Sequence, residues 1–375
     1  MRVEVIRSIE DKSLQQSWLR LEAASRAFPQ SSYAWARTWW QHLRGQRQLY
    51  VLVAYDEEGR ATAIAPLCLE RRCGLRFLSA FPIQFGDFYT FIGPRDGGFK
   101  ASVNAILDRC GSFQEWDVVC LGQIGRQDPL HGMVAVRRFH AEEGAQCITA
   151  PFQGHSWETY LTAMSRTMRR DVRRKMRRIE QGRSVRLREV RDPEAYLPIS
   201  ETLSAMYAVR WCDDFRPEHG EAYERCVREA ISEQLGAGRA VIYLLEVDGR
   251  AIAYRMGLLH NGLFYDWKTS FDVEWSSFSP GLLVLAYVVK ELLERKAAGI
   301  NFMAGRYGYK DSWSPFGEVV ANDWFLASGP RLAARAYLGY RRRARKRLRS
   351  IFHYAMRFRW ARFLSRKTWW VRRWV

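Results

Sequence analysis

The 375-residue chain lacks most of the signatures that would settle its chemistry at once. Its seven cysteines, at 68, 73, 110, 120, 147, 212 and 226, are odd in number and form no C-x-x-C, which argues against a disulfide framework. Its seven histidines form no H-E-x-x-H, so no zinc site is indicated and no metal is expected. Long apolar runs are missing too: Leu282 to Val289 (LLVLAYVV) gives eight residues where a bilayer-spanning helix needs about 20. The opening MRVEVIRSIEDK places acids where a signal peptide has an apolar core, so the chain is expected to stay in the cytosol. What is present is 47% hydrophobic residues, 15 of them tryptophan, which excludes a disordered chain and suffices for one large or two ordinary domains.

The formal charge of +19 is unevenly spread. Residues 331–375 hold 16 Lys and Arg and no acid, and residues 166–191 hold 12 against three acids. Together these segments carry +25, leaving the other 304 residues at −6. The basicity therefore belongs to two segments on a mildly acidic body.

Hydrophobic periodicity predicts an α/β chain of the α+β type. Helices are expected near 13–27, from a serine cap around residue 32 into YAWARTWW, and near 99–109. Strands are expected at Tyr50–Ala54, Ala61–Leu69, Phe77–Leu78, Phe88–Ile92 and Trp116–Leu121. Trp157, Leu161, Met164, Met168, Val172, Met176 and Ile179 recur at helical spacing among arginines, which predicts one basic amphipathic helix ending at Gly182. Helices at 194–210 and 218–236, strands at 240–247, 251–260 and 263–269, a helix from Pro280 to about Ala298 and a strand at Ile300–Met303 complete the pattern. YVLVAYDEEGRATAIAPL (50–67) and VIYLLEVDGRAIAYRMGL (241–258) repeat a strand, acidic-Gly turn and strand, 190 residues apart, which suggests two similar units.

Ser279-Pro280-Gly281 reads as a helix start, with serine as cap and proline at the first position, where its missing N–H costs nothing. Such a start attracts anions. A strand and the cationic loop Gly305-Arg306-Tyr307-Gly308-Tyr309-Lys310 follow the helix.

FPQSSYAWARTWWQHL, the DxxGRAxAxxPL hairpin, RRDVRRKMRR, AVRW at 208–211, FDxEWSSFSPGLLVL at 271–285 and G-x-x-x-YK-x-x-W ending at Trp313 together resemble the CelD-type acetyltransferases of cellulose biosynthesis. That family belongs to the GNAT acyltransferases and is similar to the FemAB peptidyltransferases. The resemblance covers residues 1–328 and leaves the tail outside. It implies tandem GNAT-like units with mixed, largely antiparallel sheets: one at 1–155, a basic linking helix at 156–192 and a donor-binding unit at 193–328, followed by the tail at 329–375. It further implies transfer of an acyl group from acetyl-CoA or another acyl-CoA to an amine or hydroxyl, with Ser279, Pro280 and Gly281 at the donor.

An incoming nucleophile must lose a proton. Asp266, in the strand Phe264-Tyr265-Asp266-Trp267, is the first candidate for the base and Glu274 the second. Lys310 and Arg306 are placed to neutralise phosphate or developing charge. Asp87 and Tyr89, within Gly86-Asp87-Phe88-Tyr89, are expected at the acceptor. One departure stands out: where relatives show an acid before the glycine of the last motif, this chain has Asn301, an amide that cannot serve as a base. The FemAB likeness keeps an aminoacyl-tRNA donor open in second place, and Asn301 keeps open a non-catalytic accessory module.

In the tail, apolar and aromatic residues from Ala344 to Leu364 alternate with arginines at helical spacing, and Trp369, Trp370 and Trp374 follow. This pattern suits a helix lying on an anionic membrane surface, with nucleic-acid contact and a plain charged helix packed on the body as the other readings. The expected setting is the inner face of a membrane, with a saccharide or lipid precursor as acceptor.

Overall fold

The structure is a computed structural model that describes residues 1–82, 87–211, 220–305 and 308–355. The first half runs β1 (Arg2–Ile6), α1 (Lys12–Ser25), α2 (Tyr33–Leu43), β2 (Gln48–Leu49), β3 (Val51–Tyr55), β4 (Ala61–Ala65), β5 (Leu67–Arg72), β6 (Leu75–Ala80), α3 (Gly97–Cys110), β7 (Val118–Gly125), α4 (Pro129–Ala135) and β8 (His140–Pro151). Two helices, α5 (Trp157–Ala163) and α6 (Arg166–Glu180), connect it to the second half. There follow β9 (Val185–Val190), α7 (Pro193–Tyr196), α8 (Ser200–Trp211), α9 (Glu221–Gly236), β10 (Ala240–Val247), β11 (Arg250–His260), β12 (Leu263–Phe271), α10 (Pro280–Glu294), β13 (Gly299–Ala304), α11 (Gly308–Ser312) and β14 (Glu318–Ser328). The tail forms α12 (Leu332–Ala355).

The mixed α/β class read from the sequence is the observed one, and the repeated hairpins are its clearest internal evidence. β1-β3-β4 and β9-β10-β11 are each three antiparallel neighbours in the same order. In each half a later strand pairs in parallel with the one beyond a helix, β6 with β7 across α3 and β12 with β13 across α10. The halves are joined through their last strands. The central order β7-β14-β8-β13 places β14 against β7 and β8 against β13, so each half completes the sheet of the other. β8, β9 and β14 are strands that the periodicity did not predict.

Local chemistry explains most helix starts. Ser32 accepts the Trp35 N–H and begins α2 as expected. Ser165 accepts the Met168 N–H, and this second cap breaks the single basic helix expected over 157–182 into α5 and α6. The segment expected as a strand at Phe88–Ile92 makes only an isolated bridge, Ile64 to Ile92. α10 stops at Glu294, four residues short of the expected end.

Trp18, Trp35, Trp116 and Trp313 are fully buried, each worth about 1.5–3 kcal/mol or more by area. The α1 and α2 side of the first half shares a core with α9 and the β10–β11 face of the second. An ion pair and a hydrogen bond also cross between the halves, Arg37 to Glu233 at 2.9 Å and His42 to Glu229 at 2.7 Å.

The tail helix is docked for its first turns. Ala334, Tyr337 and Leu338 cover Leu75, Phe77, Val118 and Leu326, and Arg341 and Arg345 turn inward to the buried Glu142. Of the readings left open, packing on the body therefore holds for this stretch; 356–374, where most of the expected membrane face falls, lies outside the described residues. Burial raises the Glu142 carboxyl, but the two arginines outweigh it and hold it below the usual range. A depressed folded-state pKa gives stability that is present above the unfolded value and is lost as pH falls through the folded one. Glu142→Gln should therefore loosen α12 at neutral pH by a few kcal/mol, about 3–5 for a broken buried pair. Proteolysis at Arg342 or Arg343 checks this: cleavage should speed up in the variant, and acidification below about pH 4 should speed it up in the wild type.

Candidate active site

The parallel pair β12–β13 is short: Leu263, Phe264 and Tyr265 oppose Gly299, Ile300 and Asn301, after which β12 continues to Phe271 without β13 beside it. A cleft of about 660 Å3 opens where the strands part. Asp266, Lys268 and Thr269 of β12, Phe302 to Ala304 at the end of β13, Ser279 and Gly281 at the start of α10, and Asp87 and Lys310 all line it.

β11 sets the geometry of one wall. Between Gly257, opposite Asp266, and Met256, opposite Lys268, the register slips by one residue, leaving Trp267 as a bulge. Gly257 is required there, because a Cβ would fall 2.3 Å from the Phe264 ring and 2.4 Å from the Tyr265 carbonyl oxygen. Arg255 and Asp266 form an ion pair whose side chains are only 3% and 2% exposed. Among the described residues the second Asp266 oxygen, Oδ1, has no hydrogen-bond partner. Burial raises the Asp266 carboxyl above its usual value against the opposing pull of Arg255 and Lys310. Arg255 also reaches the Gly281 carbonyl at 3.5 Å, tying the strand to the first turn of α10.

The helix start differs from the expected one. Ser279 sits in the left-handed region at φ +59° and its side chain does not cap the helix. Its hydroxyl instead accepts a 2.9 Å hydrogen bond from Lys175 of α6, while the Leu282 and Leu283 N–H groups both turn to the Ser279 carbonyl. Such a backbone conformation costs a non-glycine residue about 1–3 kcal/mol and persists only where the surroundings hold it. Gly281 lets the turn approach Phe271, whose ring would lie 3.3 Å from a Cβ. Arg178 stands nearby, bonded to the Ser277 carbonyl and 4.6 Å over the Phe278 ring. The basic helix thus lies against this start, a proximity invisible at 104 residues' separation. The equivalent start in the first half, α3, is capped by the Asp96 carboxylate, which is a poor neighbour for an anion.

The remaining expected residues divide. Asp87 joins the cleft: its carboxylate accepts the Ala304 N–H at 3.3 Å, and its own N–H donates to Gln30 of the FPQSS motif. Burial raises the Asp87 carboxyl, with Ala304 and Lys310 opposing. Lys310 is buried and donates to the carbonyls of Phe302, Met303 and Ala304, so its ammonium holds the end of β13 in shape. Burial lowers its pKa while Asp266 and Asp87 raise it. Tyr89 is set apart, in the core beside Phe91 with its hydroxyl donating to the Pro66 carbonyl. Pro280 is buried in the helix start, and Glu274 is exposed and paired with Arg250; neither lines the cleft. Arg306 lies outside the described residues. Asn301, whose amide raised the question of a missing acid, bridges Thr149 and the Met303 N–H at 2.7 and 2.8 Å and does not face the cleft. It braces the turn.

Residues 166–311 match the family model described as the acetyltransferase (GNAT) domain. The GNAT segment starts at α6 and ends inside α11, so it contains the helix start, both strands of the splay and every cleft residue named above except Asp87. Among solved structures, FemX aligns with a TM-score of 0.56 at 13% identity, over 88% of this chain and 98% of that one. L-PGS from Bacillus licheniformis aligns at 0.54 and 12% identity, over 86% and 95%. The C-terminal domain of a putative lysylphosphatidylglycerol synthetase from Agrobacterium fabrum gives the same figures. At these identities the likeness is one of fold, and it extends well beyond the GNAT segment. No curated protein matches the sequence.

Sequence reading missed Arg255, Lys175, Gln30, Arg210 and Lys268. The bulge at Trp267 hid Lys268 from a period-two reading of β12, because it sets Asp266 and Lys268 opposite adjacent residues of β11.

Proposed function

We propose that the chain is an acyltransferase of the GNAT type, taking an acyl group from acetyl-CoA or a longer acyl-CoA to an amine or hydroxyl of an envelope polysaccharide or lipid precursor. The cleft opening at the β12–β13 splay, directly at an uncapped helix start, is the observation that carries this reading. The residues present fit such a donor: the start of α10 offers the Gly281 N–H and the positive end of the helix dipole to phosphates, Lys175, shared with Asp171, stands beside it with Arg306 as a further cation, and the gap between strands admits a narrow arm. Acyl-CoA would supply the activated carbonyl. Asp266, raised by burial and with Oδ1 unpartnered, accepts the proton that the nucleophile loses. Arg255 fixes that carboxylate, Lys310 holds the wall formed by the end of β13, and Asp87 brings the first half to the acceptor side. The polysaccharide setting rests on the CelD-type motifs, and the division at 155, 192 and 328 follows the same resemblance.

Aminoacyl-tRNA is the second reading for the donor. It is favoured by the fold shared with FemX and by the arginine-lined hollow of Arg174, Arg177 and Arg178 on α6. Calorimetry with acetyl-CoA and longer acyl-CoAs separates the two. Saturable binding of a CoA is expected; no heat with any CoA, against saturable binding of charged tRNA, would overturn the first reading.

We place the protein at a membrane surface through its tail. Among the described residues no helix is long and apolar enough to cross a membrane, so the contact would be peripheral. Because α12 covers part of the body, the informative cut falls after Ala355. The shortened chain should stay folded and no longer sediment with anionic liposomes, and equal sedimentation of both forms would remove the membrane contact.

A further inference from the structure

Lys268 has no task in the reaction proposed above. Its side chain lines the same cleft as Asp266 and Gly281. The ammonium stands over three rings, 4.1 Å from the centroid of Tyr207, 4.6 Å from Tyr223 and 5.7 Å from Trp267. Among the described residues no carboxylate lies within ion-pairing distance of it; Glu224 of α9 acts only from further away. Arg210 of α8 lines the cleft as well, its guanidinium 4.4 Å over the Phe271 ring.

A lysine withdrawn from water without a matching acid is costly, and aromatic faces offset only part of that cost. The cost shows as a displaced titration: burial brings Lys268 down to about 7. A protein surface cation shows no such displacement, and a lysine serving only to fill space would be stabilised by losing its charge.

We propose that Lys268 binds an anionic group of the acyl acceptor, a phosphate, sulfate or carboxylate, inside this cleft. The proposal rests on the cleft being the site of acyl transfer and names the class of acceptor it takes. A bound anion supplies the missing counter-charge and restores the ammonium, so binding above pH 7 takes up a proton. The titratable groups facing Lys268 are Tyr196 from α7, Tyr207 from α8, Tyr223, Glu224 and Cys226 from α9, and Tyr254 from β11. An uncharged acceptor would gain nothing from this arrangement.

Sulfate is the appropriate probe, because its own charge does not change between pH 6 and 8.5. Titrated into the full chain and followed by calorimetry, it should bind about 30-fold more weakly at pH 8.5 than at pH 6, as an amine with a pKa of about 7 loses its proton. Lys268→Arg should keep the affinity and abolish the pH dependence, since arginine stays charged throughout. Lys268→Met should lose this binding at both pH values while melting no lower than the wild type. A Lys268→Met protein that binds sulfate like the wild type, or a Lys268→Arg protein that keeps the pH dependence, would overturn the proposal and place the anion elsewhere, such as the start of α10. Titration of the same proteins with CoA keeps the two readings apart. CoA binding without the sulfate profile sinks the acceptor site alone, and the sulfate profile without CoA binding sinks the donor reading alone.

Discussion

Arg255→Leu should cost about 3–5 kcal/mol of folding stability, which places it among the most damaging single changes in the chain. The reason is the state of Asp266 once its partner is gone. Its side chain is 2% exposed, and Arg255 provides its only ion pair among the described residues. Leucine fills the space but leaves a carboxylate that must either stay charged without a counter-ion or take up a proton. The variant should therefore unfold at markedly lower denaturant concentration, with the deficit growing as pH rises above the carboxylate range. The double variant Arg255→Leu with Asp266→Leu should recover much of the loss, because removing both charges removes the unpaired one. A single variant as stable as the wild type would show that Asp266 is solvated and that the cleft is wetter than its burial indicates. Because Arg255 also reaches the Gly281 carbonyl, the single variant should weaken CoA binding as well.

Asp266→Asn tests the chemistry, read on protein first shown to be folded, because it too leaves the buried Arg255 without its carboxylate. The amide matches the carboxylate in size but cannot accept a proton, so turnover should fall by about 10²–10⁴-fold, the usual range for a lost general base, while CoA affinity stays close to the wild-type value. Burial raises the carboxyl above its ordinary value of about 3.9. The wild-type kcat/KM should accordingly rise with pH through an apparent pKa above that value and lose this limb in the variant. Unchanged turnover would assign Asp266 to the ion pair alone and move proton transfer to another group.

The two predictions meet at one ion pair, whose halves the sequence displayed unequally. Asp266 stood out as an acid in an otherwise apolar and aromatic strand. Arg255 did not, because an arginine amid 59 basic residues carries no mark of its own until the antiparallel pairing of β11 and β12 brings it across. Lys175 was hidden in the same way, as one cation of a basic helix until tertiary packing set it on Ser279. Asn301 shows the opposite case. It looked like a missing catalytic acid, and its hydrogen bonds to Thr149 and the Met303 N–H make it a brace.

The secondary elements that local patterns specify were legible: hairpins from their acidic-glycine turns, α10 from Pro280 and its apolar face, and α2 from Ser32. β8 and β14 were not. His140–Pro151 and Glu318–Ser328 carry charged and small residues at many positions, and their strand state depends on pairing with each other and with the opposite half of the chain.

The sequence by itself determined the class of fold, the repeat of two similar units, the confinement of positive charge to two segments and the position of the helix start at Pro280. These follow from short-range rules in which each residue's neighbours suffice. Only the tertiary structure decided that the basic helix lies against that helix start, that the tail spends two of its arginines on Glu142, and that Asp87, Asp266, Lys268 and Lys310 share one cleft. Such groupings depend on where strands part and which faces are removed from water. Desolvation and ion pairing act through space, over separations of up to about 200 residues that no local pattern records.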